Sequence, residues 1–350
     1  MITDIRLQNF RSYKDAAFEL DPGVNIVVGP NASGKTNLLE ALLVVATGKS
    51  YRAGSEELVM HNKAWARLEA HTVSGSRVAK IDNSDSITKS FEIDKQVYRR
   101  LPANKKLPIV LFEPQHLLIL TGRPERRRDY LDDLLEQTDP AFGKTRRDYK
   151  RALAQRNVLL KRGIDEGKHQ LFAWNIRLSQ LGGTIADARK QLIKQLNQSF
   201  AKTYKTLSTG KTSVELSYSS SLQDNNYVSH LLHKLENDLQ NDFQRGFTAY
   251  GPHRDDLAVK IGGQAVADTA SRGEVRTIVL ALKVLEVSIL QKLNAQKPII
   301  LLDDVFSELD GARRQALTKY LDDYQTFITT TDADLIAHNF AQKCNIISLA

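Results

Sequence analysis

The chain has 350 residues, with 49 Lys and Arg against 41 Asp and Glu, a formal net charge of +8, and one cysteine, Cys344. That length supports a full hydrophobic core and about two domains. The lone cysteine excludes an internal disulfide and the usual zinc clusters, no apolar run approaches a membrane span, and Met1-Ile2-Thr3-Asp4-Ile5-Arg6 is no signal peptide, so a cytoplasmic protein is expected. The positive balance is compatible with nucleic acid but does not establish it.

Ile2 to Leu7 alternates as a strand, and Val24 to Val28 reads as a buried one. It runs into Gly29-Pro30-Asn31-Ala32-Ser33-Gly34-Lys35-Thr36, and a helix follows from Asn37 with Leu38, Leu39, Leu42 and Leu43. A G-x-x-x-x-G-K-[ST] stretch between strand and helix is a phosphate-binding loop. Its glycines let successive N–H groups converge on a phosphate, and the helix N-terminus adds partial positive charge. Gly29 to Asn37 are therefore the candidate ATP-binding residues. Lys35 is placed to reach the β- and γ-phosphates in a catalytic role, and Thr36 to hold Mg²⁺. Arg52, in Gly48-Lys49-Ser50-Tyr51-Arg52, is a candidate arginine for the triphosphate. Short, half-exposed strands are predicted at Arg67–Val73, Val78–Ile81 and Phe91–Ile93, and a buried one at Leu107–Phe112. Gln115, just beyond, stays open between a sensor of Mg²⁺ and attacking water and a plain surface glutamine.

Helical periodicity dominates from Pro124 to about Asn241, with an interruption predicted at Gly182-Gly183. Thr209-Gly210-Lys211 reads as a turn before a strand at Ser213–Tyr218. The region is too short for a long coiled coil that returns on itself and reads as a compact lobe, giving 1–122 as an N-terminal head segment, 123–244 as the inserted lobe and 245–350 as the rest of the head. Arg123, Arg126, Arg127 and Arg128, then Lys144, Arg146, Arg147, Lys150 and Arg151, concentrate positive charge where the lobe begins. Arg126, Arg127, Arg128 and Arg147 are the candidate DNA contacts, through sequence-independent phosphate neutralisation. Interleaved Asp129, Asp132, Asp133 and Glu136 offer the competing reading of ion pairs along helix faces. No aromatic stacking array appears, so double-stranded or gapped DNA with little sequence preference is expected.

Beyond Phe247 come a strand at Leu257–Ile261, an amphipathic helix at Glu274–Leu293, an apolar strand at Pro298–Leu302, and strands at Thr326–Thr330 and Asn345–Leu349. The apolar strand ends in Asp303-Asp304. An acid at the C-terminal end of such a strand faces the ligand crevice of an open α/β sheet. Asp303 is the candidate Mg²⁺ ligand through water, and Asp304 the candidate catalytic base. Ser271-Arg272-Gly273-Glu274 opens the long helix, where Ser271 also reads as an N-cap.

Ser-x-Gly-Glu before a helix, a strand ending in two acids, then Ser307-Glu308-Leu309-Asp310 resembles the order of motifs in ABC-type ATPase heads. The resemblance implies that Ser271, Gly273 and Glu274 form a signature that serves a partner's γ-phosphate, so that ATP closes a homodimer. It places Asp304 where that superfamily has its catalytic glutamate, with Asp310 as a further candidate site residue. Transporter and translation-type subunits of the superfamily keep the phosphate loop and second acid closer together than Lys35 and Asp303. Rad50 and SMC heads insert several hundred residues of coiled coil.

The blocks Asn9-Phe10-Arg11-Ser12-Tyr13, Gly29 to Thr36, Leu111-Phe112-Glu113-Pro114, Arg126 to Asp132, Gly251-Pro252-His253-Arg254-Asp255-Asp256-Leu257 and Leu302 to Asp310 resemble the RecF family over essentially the whole chain. This resemblance implies an α/β ABC-type ATPase head with an inserted, mainly helical lobe and no long coiled coil. It implies ATP and Mg²⁺ as cofactors, and slow, DNA-stimulated hydrolysis used as a switch. It further implies action in recombinational repair, replication restart and the SOS response, with RecO and RecR as partners in loading RecA at single-strand gaps. Two positions depart from the pattern. Glu274-Val275 stands where Gln-Gln or similar is expected, and Asp332 where transporters carry a switch histidine, leaving water polarisation mainly to Asp304. His253 and Arg254 stay open between touching nucleotide and holding the lobes together.

Overall fold

The computed structural model describes residues 1–208, 212–222, 225–294, 296–306, 309–332 and 344–349, without the side chains of 164–169. The chain forms two compact units, Met1–His116 with Glu286–Ala350, and Leu117–Leu285. In the first, β1 (Ile2–Phe10) and β2 (Tyr13–Glu19) make a hairpin in which Phe10 faces Tyr13 across a two-residue turn. Arg11 in that turn and Asn9 just before it have positive φ. β3 (Val24–Val28) is almost wholly buried and leads through the phosphate loop into α1 (Lys35–Thr47), which ends at Gly48, φ +77. β4 (Trp65–Thr72), β5 (Gly75–Asp82), β6 (Thr88–Ile93) and β7 (Gln96–Tyr98) extend the hairpin into a six-stranded antiparallel sheet, ordered β2-β1-β4-β5-β6-β7. β8 (Ile109–Phe112) then starts a different sheet.

The second unit opens with α2 (Leu118–Thr121), α3 (Pro124–Thr138), α4 (Phe142–Arg162) and α5 (Ile164–Leu207). At 44 residues, α5 is about 66 Å long at 1.5 Å per residue. It runs unbroken through Gly182-Gly183, against the interruption predicted from sequence. A Cβ on Gly182 would lie 2.8 Å from Leu231, and one on Gly183 would press on Val228. The glycine pair is thus a seat for a neighbouring helix. Tertiary packing outweighs the roughly 1 kcal/mol helix penalty of each glycine.

β9 (Val214–Ser219), α6 (Tyr227–Asn237) and α7 (Leu239–Arg245) follow, then β10 (Asp256–Ile261), β11 (Gln264–Ala265) and α8 (Val266–Thr269). β10 pairs antiparallel with both β9 and β11. This pairing carries the unit past position 244 to Leu285, within α9 (Arg272–Leu293). The turn read at 209–211 lies outside the described residues.

Back in the first unit, β12 (Ile299–Leu302), α10 (Gly311–Leu321), β13 (Thr326–Thr330) and β14 (Cys344–Ser348) complete a parallel sheet ordered β14-β3-β13-β12-β8. β13 separates β3 from β12, in registers that bring the C-terminal ends of all three to one edge. No described helix is long and apolar enough to cross a membrane.

Candidate nucleotide site

Between β3 and α1 the chain makes two left-handed steps, Ala32 at φ 68 and Gly34 at φ 102. Such steps turn consecutive N–H groups to one side, the geometry of an anion cradle. Only glycine fits at Gly34, because a Cβ there would sit 2.9 Å from the Tyr13 hydroxyl and 3.0 Å from Ser12 Oγ. Gly29 is constrained too, since a Cβ would lie 2.6 Å from the carbonyl oxygen of Leu349. Pro30, Asn31 and Ala32 are exposed, and Ser33 is half-buried. Lys35 folds back over its own loop, its Nζ donating to the carbonyls of Gly29 (2.8 Å) and Pro30 (2.9 Å), which holds the ammonium at the loop's mouth.

Thr36 and Asp303, 267 residues apart, meet directly: Thr36 Oγ1 donates to Asp303 Oδ1 at 3.0 Å. Thr329, on the intervening β13, donates to the same oxygen at 2.9 Å, and the Tyr51 hydroxyl donates to Oδ2 at 3.2 Å. Burial and the negative charges of Asp303 and Glu113 hold the Tyr51 phenol well above its ordinary pKa, so it remains a proton donor. Asp304 is half-buried with a left-handed backbone, φ 53, and its N–H donates to Thr329 Oγ1 at 2.9 Å.

The β1–β2 turn braces this loop from a second side. Asn37 donates to Ser12 Oγ at 2.9 Å and the Tyr13 hydroxyl donates to the Gly34 carbonyl at 3.1 Å. Arg11 makes a two-pronged pair with Glu40 at 2.8 and 3.0 Å, and the Glu40 side chain is fully buried. Ser50 also donates to Glu40, so this one carboxylate ties the turn, α1 and the segment carrying Tyr51 together. Beside Asn37 lies an open cavity of about 640 Å³, lined in part by Arg11, Ser12, Asn37, Met60 and Lys63.

Of the other candidates in this unit, Arg52 is exposed, and its neighbour Tyr51 is the residue that reaches Asp303. Gln115 is exposed in the turn just past β8, at the C-terminal edge of the parallel sheet. Asp310 caps α10, accepting from the Arg313 N–H at 2.9 Å and pairing with the Arg313 side chain. Ser307 and Glu308 lie outside the described residues. Tyr51, Thr329, Arg11 and Glu40 went unassigned in sequence because none of them belongs to a spaced motif of acids or glycines.

In the second unit, the start of α9 carries the signature residues. Ser271 and Glu274 form a reciprocal capping box: the Ser271 N–H and hydroxyl both donate to Glu274 at 2.8 Å, and the Glu274 N–H donates to Ser271 Oγ at 3.3 Å. These bonds hold the Glu274 carboxyl below its usual pKa. Gly273 sits half-buried in the first turn of α9.

Two of the four candidate DNA contacts have partners inside the unit. Arg127 grips Asp256 with both prongs, at 2.8 and 2.7 Å, and also donates to the carbonyls of Ile119 and Gly122. Arg128 donates to the Asp255 carbonyl at 2.9 Å and pairs with Glu125. Both guanidinium groups are engaged within the unit and only partly exposed. Arg126 and Arg147 are exposed.

The heptad Gly251 to Leu257 is the hub of this unit. The Pro252 carbonyl accepts from Arg189, which also grips Asp132. Buried Asp255 accepts from Tyr218, Ser220 and Tyr227. His253 lies between the Tyr149 hydroxyl at 2.7 Å and the Thr248 carbonyl at 3.1 Å. The carbonyl must accept from Nε2–H, and burial pushes the ring's pKa down to about 4, so at neutral pH the ring is neutral and Nδ1 accepts from the tyrosine hydroxyl. Arg254 stacks on Phe247. Every one of these contacts is internal to the unit.

Residues 1–347 match the family model described as the RecF/RecN/SMC N-terminal domain. The chain is 33% identical over 356 residues to the DNA replication and repair protein RecF of Moorella thermoacetica, covering 100% of this chain and 95% of that one. It is 35% identical over 343 residues to RecF of Heliobacterium modesticaldum, covering 94% and 92%. The chain belongs to the RecF family. A solved structure of the recombination mediator RecF with an ATP analogue, in the RecFOR pathway, superposes with a TM-score of 0.87 at 29% identity, covering 96% of this chain and 94% of that one. An SMC head domain from Pyrococcus furiosus, at 18% identity and a TM-score of 0.56, shares the head fold.

Proposed function

We propose that this RecF-family chain is an ATP-dependent DNA-binding protein of recombinational repair and replication restart, in which ATP closes two copies on DNA and slow hydrolysis releases them. The contact of Thr36 with Asp303 beside the phosphate loop carries the nucleotide half of this reading. A hydroxyl and a carboxylate side by side at a helix N-terminus are the oxygen donors that Mg²⁺ takes alongside nucleotide phosphates. Bound there, Mg²⁺ would neutralise charge on the β- and γ-phosphates. Loop N–H groups and Lys35 would hold the phosphates, the cavity beside Asn37 would receive the nucleoside end, and Asp304 would polarise the attacking water. Ser271 and Gly273 would serve the γ-phosphate of a second copy. RecO and RecR are the partners in this reading and gapped DNA its place of action; family membership and a solved relative described as a recombination mediator in the RecFOR pathway support it.

Titration with ATP and Mg²⁺ tests the nucleotide half. Lys35→Ala, which removes the charge held at the loop's mouth, is expected to weaken ATP binding at least about tenfold, consistent with loss of a charge-assisted hydrogen bond. Unchanged affinity would exclude this loop as the nucleotide site.

A further inference from the structure

Eight Lys and Arg and a single Asp lie on α4, a net +7 on 21 residues, against +8 for the entire chain. Two of these cations are committed inward. Arg146 lies among Asp129, Asp132, Asp133 and Glu136, and Arg156 is fully buried on Asp242. The other six, Lys144, Arg147, Lys150, Arg151, Lys161 and Arg162, are all exposed. Only Arg151 has an ion pair among the described residues, at 3.7 Å to Asp148, and its side chain is 75% exposed.

Resting on the DNA-binding reading above, we propose that the exposed face of α4 is the surface that seats the phosphate backbone of duplex DNA. Lys144, Arg147, Arg151 and Arg162 fall on one stripe of the helix, since separations of three, four and eleven residues keep side chains on the same face. From Lys144 to Arg162 the helix advances about 27 Å at 1.5 Å per residue, the length of roughly eight base pairs at 3.4 Å each. The opposite face is fixed by Tyr149, Ala152, Arg156, Leu159 and Leu160, all buried, so the cations face outward by construction. Both aromatic residues of α4, Phe142 and Tyr149, are buried, leaving nothing on this face to stack on an unpaired base. Such a surface reads charge and spacing, not sequence. It replaces Arg127 and Arg128 as the site of contact and keeps Arg147.

The test is a variant with Lys144→Gln, Arg147→Gln, Lys150→Gln and Arg151→Gln, all at exposed positions. Its affinity for a random-sequence duplex at fixed salt is expected to fall at least about tenfold. The slope of log affinity against log salt should shrink by about 3.6, near 0.9 for each of the four phosphate contacts removed. ATP affinity without DNA should stay unchanged. A companion exchanging Lys and Arg at the same four positions keeps the charge and should keep the affinity. Unchanged duplex affinity and slope in the glutamine variant, with clear binding by the wild type, would overturn this surface alone. Absence of duplex binding by the wild type would overturn it together with the DNA-binding reading.

Discussion

Asp303 accepts three hydroxyl protons, from Thr36 and Thr329 on one oxygen and from Tyr51 on the other. The motif arithmetic of the sequence identifies Thr36 and Asp303, because a phosphate loop demands a partner carboxylate at the end of another strand. It passes over Tyr51, which lies in a polar segment beside a more conspicuous arginine, and Thr329, which is one of several hydroxyls in a threonine-rich strand. At this scale, Tyr51 is expected to act as a positioning residue, because its phenol donates to the Asp303 carboxylate. Tyr51→Phe is expected to raise the Mg²⁺ concentration that half-saturates ATP binding by roughly threefold to tenfold, the equivalent of about 1 kcal/mol for a hydrogen bond to a charged group in a partly exposed site. Mg²⁺-free nucleotide binding should not change. A Mg²⁺ requirement identical to the wild type would remove Tyr51 from this role. Ser271 and Glu274 show the opposite balance. Their spacing is that of a capping box as well as of a signature, and the structure makes the box.

Elements with strong periodicity were legible: β3, α1, β12, β13 and the helices α3 and α5. α10 was not, since it is polar on most faces, and its start is marked by the Asp310 cap. β2 was missed because none of its residues is fully buried and its half-buried Tyr13, Ala16 and Phe18 do not alternate regularly. Gly182-Gly183 misled because a local break signal gives way when close helix packing demands small residues. The heptad Gly251 to Leu257 was conspicuous, but only the fold shows that it binds α4, α5 and α3 through His253, Pro252 and Asp256. A pH dependence follows from His253. The unfolded chain takes up its proton near pH 6.5 and the folded one only near 4, so stability at neutral pH falls as pH drops through that window. The loss is on the order of 3 kcal/mol. In His253→Gln the decline in melting temperature between pH 7 and 4.5 should be shallower than in the wild type; equal slopes would show that His253 is not the group responsible.

Across the whole molecule, the phosphate loop and Asp303 stand far apart in sequence because a complete second unit, Leu117–Leu285, intervenes between β8 and the last turns of α9. The parallel sheet nevertheless closes, and β12 and β13 bring their ends beside β3. One chain therefore carries the loop and the carboxylate proposed to hold the metal, while the signature at the start of α9 is proposed to serve a second copy. ATP is then less a fuel than a clasp between two copies on DNA. The direct measurement is sedimentation of the protein with duplex DNA, with and without ATP and Mg²⁺, for the wild type and for Asp304→Asn. The dimer fraction is expected to rise with ATP in the wild type and to persist in Asp304→Asn after wild-type dimers have dissociated. The same dimer fraction with and without ATP would contradict the clasp.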